Sequence, residues 1–326
     1  MAAIIELRDL TKSYGDLIAV ADLNLSIAEG AVFGFIGPNG AGKTTTMRIL
    51  TTLLRPTAGE AWVAGHSVTA DPLAVRRVIG YMPDFFGVYE DMKVWEYLDF
   101  FAACYHIPPA TRPGMIDDLL ALVDLGHKRD AYVETLSRGM KQRLCLARTL
   151  THDPQVLILD EPASGLDPRA RIEMRELLRE LQKMGKTIFF SSHILSEVAD
   201  ICTSIGIIEN GRLVAAGDVA EMMGRLRGHR LIRLRFVPGA AVDPAEVETW
   251  LRGEPDVLAV ADETEGQPGV ALRLDFGGDD MALSSLLGRL VGRGWPVLAF
   301  GEERGDLEDV FLHVTRGTIG ESQAAG

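Results

Sequence analysis

The chain has 326 residues, 47% of them hydrophobic, and a formal net charge of −13. That length and apolar content support one large domain with a sizeable core plus a smaller one, and argue against a disordered chain. The acid excess is local: residues 236–326 hold 17 Asp and Glu against 6 Arg and no Lys, which argues against a nucleic-acid surface there, because phosphate binding needs clustered basic charge.

The N-terminus, MAAIIELRDL, carries charge too early for a secretory signal, and no apolar run approaches the length of a membrane span. Any membrane connection is therefore expected through a partner. Cys104, Cys145 and Cys202 have neither metal-ligand nor disulfide-framework spacing and read as reduced packing residues of a cytosolic protein.

Strand-like runs at 3–7, 18–27 and 31–36 lead to GPNGAGKT, Gly37 to Thr44, with a helix from about residue 42. The octet fits G-x-x-x-x-G-K-[ST] in the context that pattern requires, after a strand and at a helix start, and reads as a P-loop. Glycines 37, 40 and 42 let the backbone turn its N–H groups toward phosphates; Lys43 reaches the β and γ phosphates, and Thr44 offers an oxygen to Mg2+. The predicted nucleotide-binding stretch is Gly37, Pro38, Asn39, Gly40, Ala41, Gly42, Lys43, Thr44 and Thr45.

Residues 80–105, GYMPDFFGVYEDMKVWEYLDFFAACY, hold nine of the 22 aromatic residues. Pro83 and Asp84 form a turn signal, after which Trp95, Leu98, Phe101 and Ala102 recur at helical spacing, and helical sequence continues to about 150. Leu98 and Phe101 read as core. Phe85, Phe86 and Tyr89 precede the periodic stretch in turn-like, acidic surroundings, which reads as a docking surface, with ordinary core as the alternative.

At VLILDEP, residues 156–162, an apolar strand delivers Asp160 and Glu161 to its C-terminal end. Asp160 is expected to complete a Mg2+ shell, and Glu161 to deprotonate the attacking water. A second continuous apolar run at 187–191 has the character of a parallel strand buried on both faces. From about 231 the order becomes β-α-β-β-α-β, a ferredoxin-like split unit. Five arginines from Arg225 to Arg235 read as a solvated basic strip at the junction.

LSRGMKQRL, Leu136 to Leu144, stands a short interval before the Asp160 strand, and with it residues 4 to about 222 resemble the nucleotide-binding subunit of an ABC exporter. The resemblance implies an α/β P-loop ABC ATPase domain at 1–224 with a helical subdomain at about 85–150, an α+β ferredoxin-like accessory domain at 229–316, and a disordered tail at 317–326. It implies ATP and Mg2+ as ligands, Tyr14 for adenine stacking, His193 in SSHILSE as the switch histidine, and SGLDP with Ser164 and Asp167 as a loop between protomers. Ser137, Arg138, Gly139 and Met140 would cap the γ-phosphate held by the opposite protomer of a homo- or heterodimer. Arg138 stands where the family usually has a second Gly, and Met140 where it has Gln. Asp84 stands at the family's usual glutamine, as a Mg2+ contact or a plain turn residue, and with Phe85, Phe86 and Tyr89 it would face a separate integral membrane subunit. DLEDVFLHVT near the end resembles the accessory domain of the drug-exporter branch. The resemblance implies a peripheral protein on the cytoplasmic side of the cell membrane, driving movement of a cargo outward. A soluble ABC-type ATPase with a non-membrane partner is the rival, and it lacks here the coiled-coil insertion or second cassette it would need.

Overall fold

The computed structural model describes residues 3–85, 87, 89, 91–194, 198, 201–219, 222, 230–240, 242–264 and 269–303. Phe86, the junction at 223–229, the stretch 304–316 and the tail 317–326 lie outside the described residues, so the predictions placed on them are not addressed. The chain divides into two units, Met1–Val219 with Gly317–Gly326, and Ala220–Arg316.

The first unit begins with β1 (Ala3–Tyr14), β2 (Leu17–Ala28), β3 (Val32–Ile36), α1 (Lys43–Leu50), β4 (Ala58–Val63), β5 (His66–Ser67), α2 (Pro72–Val78) and β6 (Ile79–Met82). It continues with α3 (Val94–Cys104), α4 (Arg112–Leu122), α5 (Arg138–Leu150), β7 (Val156–Leu159), α6 (Pro168–Lys183), β8 (Thr187–Ser192), β9 (Ser204–Glu209) and β10 (Arg212–Asp218). One sheet is antiparallel, in the order β2-β1-β4-β5; the other has the order β10-β9-β3-β8-β7-β6, parallel except for the β9–β10 hairpin. β3, β7 and β8 are buried at every position, as strands covered on both faces require. Phe189 on β8 meets Phe33 and Phe35 on β3 at centroid distances of 5.6 and 5.4 Å, pairs that contribute about 0.5–1.5 kcal/mol each beyond area burial.

The helices α3, α4 and α5 close over a separate apolar cluster that includes Val94, Tyr97, Leu98, Ile116, Leu120 and Leu144. Leu98 is core, as its spacing predicts, and Phe101 packs half-buried against that cluster. α3 starts at Val94, next to Trp95, where the helical spacing begins. Cys145 is buried as expected, but Cys104, the last residue of α3, is exposed.

The second unit runs β11 (Arg230–Phe236), α7 (Pro244–Arg252), β12 (Val257–Asp262), β13 (Ala271–Phe276), α8 (Asp280–Gly292) and β14 (Val297–Glu303). Its antiparallel sheet has the order β12-β13-β11-β14. Counted within the unit, strands 2-3-1-4 around two helices form the split β-α-β arrangement read from the sequence. Alternate residues Ile232, Leu234 and Phe236 of β11 pack with Val247 and Leu251 of α7 and Leu286 and Leu290 of α8. Two of the three described arginines of the basic strip pair with acids within this unit. Arg230 pairs with Asp280 and Glu302, each at 2.8 Å, and Arg233 pairs with Glu263 at 3.5 Å.

Candidate functional site

Parallel pairing brings four strand ends to one sheet edge: Ile36 lies opposite Ser192, Leu159 opposite Phe190, and Met82 opposite Leu159. The residues that follow those ends are Gly37, His193, Asp160 and Pro83. This is the carboxyl edge, where α/β sheets hold ligands.

Two glycines of the 37–42 loop are required by space. A Cβ on Gly37 would lie 2.2 Å from the Ile208 carbonyl oxygen, and one on Gly42, whose φ is 107°, 2.5 Å from that of Ala19. Gly40 also has a positive φ but meets nothing within 4 Å. Pro38, Asn39 and Gly40 are exposed and free to receive a ligand, while Ala41 is buried and its carbonyl accepts the Gly211 N–H at 3.0 Å. Thr44 and Thr45 are half-buried in the first turn of α1. Lys43 is buried, donates to the carbonyls of Gly37 and Pro38 at 2.7 and 3.1 Å, and lies 3.7 Å from Glu161 Oε1. Burial lowers the Lys43 pKa, opposed by the negative charges of Glu161 and Asp160. The ammonium is thus surrounded by oxygens.

Asp160 is 1% exposed and accepts the Ser191 hydroxyl on Oδ1 at 2.6 Å. Burial raises its pKa above the usual carboxylate range, and the Ser191 hydrogen bond, together with the nearby Thr44 hydroxyl, opposes that rise. Its Oδ2 is buried without a hydrogen-bond partner among the described residues. A buried anionic oxygen left open beside a threonine hydroxyl fits a hard divalent cation. Among the described residues no group of three or more His, Cys, Asp or Glu is placed to hold a metal ion by itself.

Ser191 Oγ also accepts the Glu161 N–H at 2.9 Å, so one hydroxyl fixes both carboxylate residues. Glu161 has φ 48°, a left-handed conformation that costs a non-glycine residue about 1–3 kcal/mol and is commonly retained at functional sites. His193 Nδ1 lies 3.0 Å from Glu161 Oε2. An ionised carboxylate only accepts, so Nδ1 carries the proton in this pair. Lys43, Asp160, Glu161 and His193 thus form one constellation, although they span 150 residues of sequence.

Ser137 caps α5, its hydroxyl accepting the Met140 N–H at 3.3 Å, and with Arg138 it is exposed. Gly139 and Met140 are half-buried in that first turn. No hydrogen bond or ion pair joins residues 137–140 to residues 37–45 among the described residues. Asp167 caps α6 by accepting the Ala170 N–H at 2.9 Å, and Ser164 N–H donates to the Glu161 carbonyl at 3.0 Å. Tyr14 is half-exposed, with the Lys12 ammonium 5.2 Å from its ring centroid. Asp84 is exposed and its Oδ1 accepts the Phe85 N–H at 2.7 Å, a turn contact, while its charge also contributes to raising the Asp160 pKa. Phe85 is 83% exposed; Tyr89 is 54% exposed and sets its ring edge-on to Phe100 at 5.6 Å.

Ser191 and Gln142 escape a reading of the sequence. Ser191 is a fully buried hydroxyl at the end of the apolar run TIFFSS, and that break in hydrophobicity was its available signal. Gln142 is 2% exposed and hydrogen-bonds the carbonyl of Pro162, a contact that only the fold creates.

The family profile described as ABC transporter matches residues 20–164. A Nod factor export ATP-binding protein I of Burkholderia orbicola is 37% identical over 313 residues, covering 96% of this chain and 97% of the relative. A solved structure titled as the ATP binding subunit of an ABC transporter superposes with TM-score 0.62 at 29% identity, covering 69% of this chain and 93% of that one. The cbiO1 protein of Clostridium perfringens, titled as part of the ABC transporter complex cbiONQ, gives TM-score 0.63 at 28% identity over 70% of this chain and 94% of that one.

Proposed function

The chain belongs to the family of ABC transporter ATP-binding proteins, and on that premise we propose that it hydrolyses ATP as one half of a two-chain sandwich and transmits the movement to an integral membrane subunit. It is an ATP-binding, ATP-hydrolysing transporter subunit. The observation that carries the site assignment is the single constellation of Lys43, Asp160, Glu161 and His193 at the carboxyl edge of the sheet.

In this reading the N–H groups of residues 39–45 and the Lys43 ammonium hold the phosphates, with Tyr14 against the adenine. Lys43 then exchanges its loop carbonyls for phosphate oxygens. Thr44 and the open oxygen of Asp160 would hold Mg2+, which would supply positive charge to neutralise the phosphates. Glu161 accepts a proton from water as the water oxygen bonds to the γ-phosphorus; the bond to the bridging oxygen breaks, and ADP leaves with its electron pair. His193, donating through Nδ1, keeps the Glu161 carboxylate oriented toward the water. The exposed N-terminal turn of α5 at Ser137–Met140 meets the nucleotide of the opposite chain, and Ser164 and Asp167 lie in the loop between protomers.

No helix among the described residues is long and apolar enough to cross a membrane. The location proposed is peripheral, on the cytoplasmic face, with Asp84, Phe85 and Tyr89 facing the membrane subunit. Phe85 supports this, since a phenyl ring 83% exposed in a loop is what a docking anchor leaves uncovered. Outward transport is proposed from the export named for the Burkholderia relative. Binding to stripped inner membranes of the source cell tests the docking claim. The wild-type chain should bind saturably, and a Phe85→Ala, Tyr89→Ala double variant at least about fivefold more weakly, with ATP affinity kept within about twofold. Equal membrane binding by both would overturn it.

A further inference from the structure

The loop that presents Glu161 hangs from α5. Arg138 and Gln142 stand four residues apart, so their side chains leave the helix on one face. Arg138 Nη2 donates to the Ser164 carbonyl at 3.1 Å, and Gln142 Nε2 donates to the Pro162 carbonyl at 2.5 Å. Between these anchors the Ser164 N–H closes a turn onto the Glu161 carbonyl, and Glu161 itself is held at φ 48°. The guanidinium fills the space opposite Gly165, where a Cβ would lie 2.4 Å from Arg138 Nη2. The arginine at 138 therefore has a glycine at 165 that admits it. Gln142 is 2% exposed, so water cannot replace its contact. Among the described residues their hydrogen bonds go to the 162–164 backbone and not to Lys43, Asp160 or the Glu161 carboxylate, so both act through that backbone.

We infer that Arg138 and Gln142 are positioning residues for hydrolysis: the helix whose first turn meets the opposite chain's nucleotide also sets the angle of this chain's own Glu161. Closure at one nucleotide then readies the carboxylate at the other. This rests on Glu161 being the base.

The test measures ATPase rate against ATP concentration for the full chain and for Gln142→Met, Arg138→Gly and Arg138→Lys, with thermal unfolding as a check of folding. ATP-driven dimerisation of each variant is measured by sedimentation in a Glu161→Gln background. Gln142→Met removes the donor inside the fold, and Arg138→Gly removes the outer one. Each should lower kcat by about tenfold or more, and for Gln142→Met, which lies inside the fold and outside the turn that meets the opposite nucleotide, KM and the ATP midpoint of dimerisation should move less than about twofold, because misplacement of a catalytic group acts on the chemical step. Arg138→Lys, which keeps a donor within reach of the Ser164 carbonyl, should recover most of the rate. If Gln142→Met does not fold, Arg138→Gly at its exposed position carries the test. Wild-type kcat in the folded variants would overturn the inference, and so would a loss confined to KM and dimerisation in Arg138→Gly, which marks a direct nucleotide contact. Wild-type turnover by Glu161→Gln alone would instead overturn the base assignment on which it rests.

Discussion

Replacing Asp160 with Asn should make the nucleotide-free fold more stable while removing activity. Asp160 is 1% exposed, its Oδ1 is held by Ser191 at 2.6 Å, and its Oδ2 is buried without a partner among the described residues. Asn keeps the shape and the Ser191 contact, and the nitrogen that replaces Oδ2 carries no charge. An unsatisfied buried polar atom costs about 1–3 kcal/mol and a charged one more, while loss of attraction to Lys43 offsets part of the gain, so the expected net stabilisation is about 1 kcal/mol at pH 7. The pH dependence follows from the direction of the shift. The folded-state pKa of Asp160 lies above its unfolded value, so the folded form binds the proton more tightly and wild type gains stability as pH falls toward that raised pKa. The gap between variant and wild type should therefore be widest near neutrality and narrow toward acid. Urea unfolding followed by circular dichroism at several pH values, without nucleotide or Mg2+, reads both. Mg2+-dependent ATPase should fall at least about a hundredfold. A variant less stable than wild type at pH 7 would refute the reasoning, because it would show the carboxylate fully compensated by its surroundings.

Two further outcomes follow from the same geometry. Gly42→Ala forces a φ of 107° on a residue with a Cβ and drives that atom to 2.5 Å from a backbone oxygen, so it should destabilise by about 2–4 kcal/mol and abolish ATP binding, whereas Gly40→Ala, strained but in open space, should cost about 1–2 kcal/mol; thermal unfolding and calorimetric titration with ATP distinguish them. Iodoacetamide should label the exposed Cys104 in the native protein and spare the buried Cys145, whose thiol pKa burial pushes up to about 11; mass spectrometry of native and urea-treated samples checks this, and equal native labelling would contradict the burial.

The chemistry was legible where residue type and spacing carry it together. Glycines 37 and 42 are dictated by a backbone that passes within van der Waals reach of Ile208 and Ala19, and Asp160 and Glu161 by a strand that ends at the ligand edge, so both stretches can be recognised without the fold. Ser191 offered only the break in its apolar run and Gln142 no signal, because their partners lie 31 and 20 residues away. β4, with the sequence AGEAWV, shows no clean alternation, since Gly59 lies against the Asp9 carbonyl of β1 and only Ala61 and Val63 turn inward. The helix pattern at 95–102 pointed to Leu98 and Ala102 correctly but passed over Tyr97, a fully buried aromatic whose hydroxyl masks its apolar role. The second unit was easier to read because its strands are short and bounded by turn residues, and β11 alternates in burial.

The two-chain sandwich with Glu161 as base is tested most directly by sedimentation of Glu161→Gln with ATP and Mg2+. The variant keeps the shape of the side chain and its setting beside Lys43 and His193 but cannot take the proton from water. The account predicts a stable dimer retaining two ATP molecules. Monomers alone, under conditions where the wild-type chain hydrolyses ATP, would contradict it.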